Sequence, residues 1–355
     1  MSQDGDDRRL TMASTGLGWA NVATATGRAS SWAKPQQSHP AGLGWPVPGG
    51  GGASSSASSS PTVSRETGPG AEQVMTDEAN PTTRPRPVSR ETRGGNGGRV
   101  IAVANQKGGV GKTTSVVNLA AGLALSGSAV LLVDLDPQGN ASTAMGVDHR
   151  SGVHSTYEAL IDGVPIRTVV RPAASVPGLD CVPATIDLAG AEIELVSVVA
   201  RESRLRRALT SVRDDYDYIF LDCPPSLSLL TVNALVAADE IVIPIQCEYY
   251  ALEGLGQLLS NIDLIRTHLN ADLRISAVLL TMFDARTRLS EQVAEEVRAH
   301  FGDVVLRSVV PRSVRISEAP SYGQSVVTYD PGSRGAGIYR AAAVELAARG
   351  RAEGG

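Results

Sequence analysis

The run Asn105-Gln106-Lys107-Gly108-Gly109-Val110-Gly111-Lys112-Thr113-Thr114 places two lysines, three glycines and two threonines directly behind an apolar stretch, RVIAVA at 99–104. A helical pattern follows it. Glycines let backbone N–H groups turn inward around phosphate oxygens, and a helix starting at Lys112 adds the partial positive charge of its N-terminus. In that arrangement Gly108, Gly109, Val110, Gly111 and Thr114 line a phosphate cradle. Lys112 reaches the β- and γ-phosphates of ATP, and the Thr113 hydroxyl ligates Mg²⁺. The competing reading is a glycine-rich turn with a chance lysine. It leaves the order strand, loop, helix unexplained.

Two acidic clusters follow at the ends of further apolar runs. AVLLVD (129–134) leads into Asp134-Leu135-Asp136-Pro137-Gln138. Two carboxylates at the mouth of a strand beside a phosphate loop suit metal and water handling, so Asp136 is a candidate metal neighbour and Asp134 a structural partner of loop amides. Tyr218-Ile219-Phe220-Leu221-Asp222 is an apolar run ending in Asp. After a phosphate loop, it reads as the strand that offers Asp222 to Mg²⁺ directly or through water.

The elements that must hold these residues are short β-branched runs alternating with longer helical stretches. Besides 99–104, 129–134 and 218–222, strands are expected at EIVIPI (240–245), RISAVLL (274–280) and VVLRSVV (304–310). Helices are expected at 112–126, 190–209, 252–268 and 289–301. Strands alternating with helices predict an α/β fold with a mostly parallel central sheet flanked by helices. Sites in such sheets lie at the C-terminal ends of the strands.

Composition bounds the rest. The net charge is −5 over 355 residues, so any nucleic-acid contact must be a local basic patch. Three scattered cysteines, Cys181, Cys223 and Cys247, argue against a disulfide framework and against paired metal spacing, and fit a reducing cytoplasm. The N-terminus is polar, with no signal-peptide pattern. The most apolar region, 119–133, is too short and interrupted to span a bilayer. Residues 1–98 are Gly-, Ser- and Pro-rich and lack Ile, Phe and Tyr, which predicts a disordered tail ahead of one ATPase domain at 99–349 and a short C-terminus at 350–355. The tail carries nine basic and eight acidic groups, leaving 23 and 29 in the remainder, a net of −6.

One departure from the ordinary phosphate-loop pattern points to a family. Gln106 stands where the first glycine is usual, and Lys107 follows it. This KGGVGKTT variant resembles the deviant Walker-A P-loop ATPases, which include the ParA/Soj and MinD groups. The later segments DLAGAEIELV (187–196), PIQCEYYALEGL (244–255), LLTMFDARTRLS (279–290) and VPRSVRISEAPSYGQSVVTYDPGSRGA (310–336) resemble the chromosomal ParA/Soj branch. The resemblance covers about residues 99–349. It implies Mg-ATP hydrolysis by a P-loop NTPase fold and an ATP-dependent homodimer that binds double-stranded DNA without sequence preference. It also implies release by a ParB-type centromere-binding partner and a cytoplasmic, nucleoid-associated protein with no membrane anchor. By the same resemblance Lys107 crosses to the partner subunit's phosphates, Asp136 activates the attacking water and Pro311 packs near the adenine. Ser313 stands where an Asn is frequent. Arg286 and Arg315, with Arg288 and Arg312 beside them, contact DNA. A MinD-like membrane ATPase is the alternative. The Ala-rich end IYRAAAVELAARGRAEGG lacks the basic, bulky apolar face that a lipid-binding helix needs.

Two motifs in the tail stand apart. Gly16-Leu17-Gly18-Trp19 recurs as Gly42-Leu43-Gly44-Trp45, a candidate docking motif, and Val63-Ser64-Arg65-Glu66-Thr67 recurs at 88–92. Codons for the second can spell the palindrome GTTTCACGTGAAAC, which resembles the family's centromere-like site. Sequencing that stretch of the gene tests it directly.

Overall fold

The β-branched runs do form strands, and the central ones, Arg99–Val103, Val130–Asp134, Tyr218–Asp222 and Glu240–Gln246, are apolar and covered on both sides. The computed structural model describes residues 97–248 and 255–351. Residues 1–96, with both Trp motifs and both pentapeptides, lie outside the described residues, as do 249–254 and 352–355. The strands are β1 (Arg99–Val103), β2 (Val130–Asp134), β3 (Arg171–Pro172), β4 (Leu179–Val182), β5 (Tyr218–Asp222), β6 (Glu240–Gln246), β7 (Arg274–Phe283) and β8 (Val305–Pro311). They make one sheet in the order β3-β4-β2-β5-β1-β6-β7-β8. All neighbours are parallel except β3 and β4. The longest helices are α1 (Lys112–Leu125), α2 (Leu229–Ala237), α3 (Leu255–His268), α4 (Arg288–Phe301) and α5 (Arg334–Arg351).

Alternate residues of each strand enter different cores. Val100, Leu131, Ile219 and Ile241 pack with Leu235, Ile262 and Val297 from α2, α3 and α4. Ile101, Leu132, Phe220 and Val242 pack with Leu119 and Leu123 of α1 and Tyr339 and Leu346 of α5. A parallel sheet buried on both faces needs such continuously apolar strands, and it fixes register firmly. The register carries Val103, Asp222 and Asp134 side by side across β1, β5 and β2.

The expected helix at 190–209 is not continuous. It is two short helices, Leu188–Glu194 and Arg204–Thr210, separated by 3₁₀ turns. Val198 is extended and Ala200 takes a left-handed φ of 53°. Leu188, Ala191 and Leu195 from the first part and Leu205 and Leu209 from the second still pack in one core. The short strands β3 and β4 and the helices α2 and α5 have no counterpart among the elements expected from the sequence.

At the opposite sheet edge from the phosphate loop, Glu240 is 1% exposed and accepts from Arg99 Nε at 2.8 Å and Nη2 at 2.6 Å, and from Arg274 Nη2 at 2.9 Å. Burial pushes its carboxyl up, but the bonds and charge of Arg99, with Arg274 behind them, hold it below the usual carboxylate range. A lowered folded value contributes stability above the unfolded pKa and loses it as pH falls through the folded one. Glu240→Gln is expected to cost about 1–3 kcal/mol at neutral pH, discounted because Arg274 is half solvated. It should also lose less stability than wild type between pH 7 and pH 4, as read from urea melts at both.

Candidate active site

Three loops open at the C-terminal edge of the sheet, after β1, β2 and β5, and the register of those strands brings them together. In the first, Gly109 and Gly111 adopt φ of 73° and 87°, a left-handed backbone that glycine takes without strain. A Cβ at Gly108 or Gly109 would meet nothing within 4 Å, so the loop faces open space there. Gly111 is the N-cap of α1, and its carbonyl accepts from Ser115 N at 2.9 Å. The amides at the head of α1 have no earlier helical carbonyl to bond. Lys112 is 7% exposed, and its Nζ folds back to Lys107 O at 3.3 Å. Burial lowers its pKa, while the charge of Asp222 acts the other way.

Asp222 is fully buried, and neither carboxylate oxygen has a hydrogen-bond partner. Burial pushes it well above the usual carboxylate range. The Asp134 charge adds to that, and the Thr113 hydroxyl and Lys112 ammonium oppose it. An orphaned, buried carboxylate beside a second one is costly unless a cation joins it. The donor set suits magnesium, which takes one or two carboxylates with phosphate oxygens and water rather than a protein cage. Asp222 and Thr113 would hold Mg²⁺, and the loop amides with Lys112 would hold the phosphates of ATP. When bound, the metal neutralises charge on those phosphates. Asp222→Asn should leave the nucleotide-free protein about as stable as the wild type, because the amide replaces, at the same size, a buried carboxyl that has no bonded partner. The same change should abolish the rise in Tm that Mg-ATP gives the wild type, as read by thermal melts with and without the nucleotide.

Similarity to known proteins gives the family. A family model described as an AAA domain matches residues 98–275. The chain is 56% identical over 253 residues to the sporulation initiation inhibitor protein Soj of Bacillus subtilis, covering 71% of this chain and 100% of that protein. It is 52% identical over 252 residues to the chromosome partitioning protein ParA of Myxococcus xanthus, covering 71% and 89%. The chain belongs to the Soj/ParA family of chromosome-partitioning ATPases. Among solved structures, it resembles the cobyrinic acid a,c-diamide synthase of Mycobacterium smegmatis with bound ADP and magnesium (TM-score 0.63, 38% identity, 72% of this chain and 96% of that one). It also resembles the cell division ATPase MinD of Pyrococcus furiosus (TM-score 0.59, 26% identity, 71% and 99%). The chain is thus a P-loop ATPase of the partitioning class.

Within this Soj/ParA site the two acids of the second loop have different work. Asp134 is fully buried and saturated. Its Oδ1 accepts from Asp136 N at 3.1 Å, and its Oδ2 accepts from Ser142 N at 2.9 Å and Ser142 Oγ at 2.7 Å. Burial raises it to about 6, with those bonds opposing the shift. Asp136 is 8% exposed. Its Oδ1 accepts from Gln138 N at 3.0 Å, and its Oδ2 accepts no bond from the described residues. Asp134 therefore holds the loop, and Asp136 keeps an oxygen for other use.

Pro311 ends β8 in register with Phe283 of β7, and Ser313 caps the short helix Val314–Glu318 without a side-chain bond. Both lie at the C-terminal end of β8. The four arginines follow β7 and β8: Arg286 and Arg312 stand in the loops, Arg288 opens α4 and Arg315 lies in the short helix Val314–Glu318, and the two loops are joined by Arg312 N to Phe283 O at 3.1 Å. Three of them carry acidic partners. Arg286 is bidentate to Asp284 at 2.9 and 2.7 Å, Arg312 meets Glu248 at 2.5 Å, and Arg315 meets Glu318 at 3.1 Å and Asp330 at 3.6 Å. All four are exposed. The three cysteines are buried free thiols.

Sequence reasoning passed over several residues that build the site. Asn105, 9% exposed, donates to Pro244 O at 2.8 Å and accepts from Lys107 N at 3.0 Å, so it sets the start of the phosphate loop. Ser142 fastens Asp134. Thr281, 2% exposed, donates to Val110 O at 2.8 Å from the far strand β7. A polar residue closing an apolar strand, as in LLTMF, was the available signal. Met282 beside it has φ of 51°, a left-handed backbone that costs a non-glycine residue about 1–2 kcal/mol.

Proposed function

We propose that this chain is an ATP-switched homodimer that binds duplex DNA without sequence preference, and that a ParB-type centromere-binding protein releases it from the nucleoid in the cytoplasm. The observation that carries the reading is Lys107. It stands in the phosphate loop with its backbone fixed by Asn105 and Lys112, yet its ammonium makes no ion pair among the described residues. A cation held at a phosphate site but unused within its own chain suits phosphates bound by a second copy. Dimerisation then requires ATP, and the charge that develops in phosphoryl transfer is stabilised in trans.

The arginine loops support the DNA part. Their partners are carboxylates on the protein surface, which phosphates can replace while releasing counterions. The core's net negative charge makes this a local patch that is weak in one copy and doubled in a dimer. The membrane-binding alternative finds less support, because α5 spends its apolar face inside. Ala336, Tyr339, Ala342 and Leu346 are buried, and Glu345 accepts from Arg307 N and Ser308 N at 2.7 and 3.0 Å.

A salt titration tests the reading. Log affinity for a random duplex should fall linearly with log salt in the ATP state. Arg315→Ala should flatten the slope by about 0.9 for each phosphate that the variant no longer neutralises. An unchanged slope with unchanged affinity removes Arg315 from the DNA face.

A further inference from the structure

Among the described residues, the non-glycine positions with positive φ are Ala200, in the turn that breaks 190–209, and Met282. Met282 sits where β7 meets two functional regions. On its N-terminal side, Thr281 Oγ1 donates to the phosphate-loop carbonyl of Val110 at 2.8 Å, and its side chain lies 3.9 Å from where a Cβ on Gly111 would stand. Thr281 O accepts from Cys247 N at 3.0 Å, at the end of β6. On its C-terminal side, Phe283 O accepts from Arg312 N at 3.1 Å, and Asp284 holds Arg286. The pairing of β7 with β8 is irregular between Leu280 and Phe283, so the strand is already bent here. One strained residue thus separates the bond to the phosphate loop from the bonds to both arginine loops.

We propose that Thr281 and Met282 form a mechanical link through which occupancy of the nucleotide site sets the affinity of the arginine loops for duplex DNA. This rests on the DNA-binding reading above. A residue in a disfavoured backbone region stays there only while its surroundings over-determine it. Here the surroundings are the Thr281–Val110 bond on one side and the Phe283–Arg312 bond on the other. A shift of the phosphate loop changes the first bond and lets Met282 relax, which re-aims Phe283 O and Asp284 and with them Arg312 and Arg286. The link is a two-state element biased at both ends, which is what coupling between separate sites requires.

The test uses the full chain and a fluorescent random duplex, with affinity measured at saturating non-hydrolysable ATP analogue and at saturating ADP. The readout is the ratio of the two affinities. Met282→Gly removes the backbone penalty, so the segment keeps its present form in both nucleotide states. Met282→Asn, which also tolerates this region, does the same should glycine loosen the strand. Thr281→Val cuts the bond to Val110. All three variants should lower the ratio at least about fivefold, with the two Met282 variants binding the ATP analogue as the wild type does. If the wild type is gated and all three variants are gated equally, the link is wrong and the DNA-binding reading stands. If the Met282 variants lose nucleotide affinity in step with the ratio, Met282 belongs to the nucleotide site and the link is again wrong. If the wild type binds DNA equally in both states, the reading itself fails, and the link fails with it.

Discussion

Asp136→Ala should reduce ATP turnover by roughly 10²–10⁴-fold, the range a positioned general base contributes, and leave ATP-bound dimers lodged on DNA. Asp136 is 8% exposed, and its backbone is held at both ends: its amide donates to Asp134, and its carbonyl accepts from Gly139 N at 2.9 Å. One carboxylate oxygen serves the Gln138 amide, and the other is open to a water. Removing the carboxylate takes away neither Lys112 nor Asp222, so nucleotide binding should survive. The measurement is phosphate release beside retention on DNA-coated beads with Mg-ATP. Normal turnover would assign the water to another residue.

Lys107→Ala should have the second large effect, and in the opposite sense on DNA. The variant should bind nucleotide, stay a monomer by light scattering in Mg-ATP, and be washed from the same beads. A cation supplied in trans to a transferring phosphoryl group contributes about 10³–10⁵ in rate, so turnover should also fall steeply. Both variants are inactive, but one is trapped and the other never assembles. Equal retention of the two on DNA would contradict a trans role for Lys107.

Much of this was legible in the sequence, for physical reasons. The phosphate loop and Asp222 follow buried parallel strands, whose apolar runs cannot be mistaken for surface. A KGGVGKTT loop between such a strand and a helix has few other uses. The resemblance then supplied the roles of Lys107 and Asp136, which spacing alone would have left open. What the sequence concealed depends on contacts between distant positions. The sequence marks Thr281 only as a polar residue near the end of an apolar strand, and nothing local names Val110, 171 residues away, as its partner, or Asn105 as the tie between Pro244 and Lys107. The expected 190–209 helix breaks where Val198 is extended and Ala200 takes a left-handed φ, beside the β-branched pair Val198-Val199, which favours a helix less. The carboxylate partners of Arg286, Arg312 and Arg315 were also hidden. They turn exposed cations into surface ion pairs that are individually weak, which phosphates would displace in the proposed DNA complex.

The most direct measurement is wild-type binding to a random duplex at moderate salt with ATP, with ADP and with no nucleotide, alongside light scattering under the same three conditions. The account predicts that dimer and DNA binding appear together, and only with ATP. A dimer that forms with ATP and binds no DNA in any state would contradict it, as would a monomer that binds DNA equally in all three.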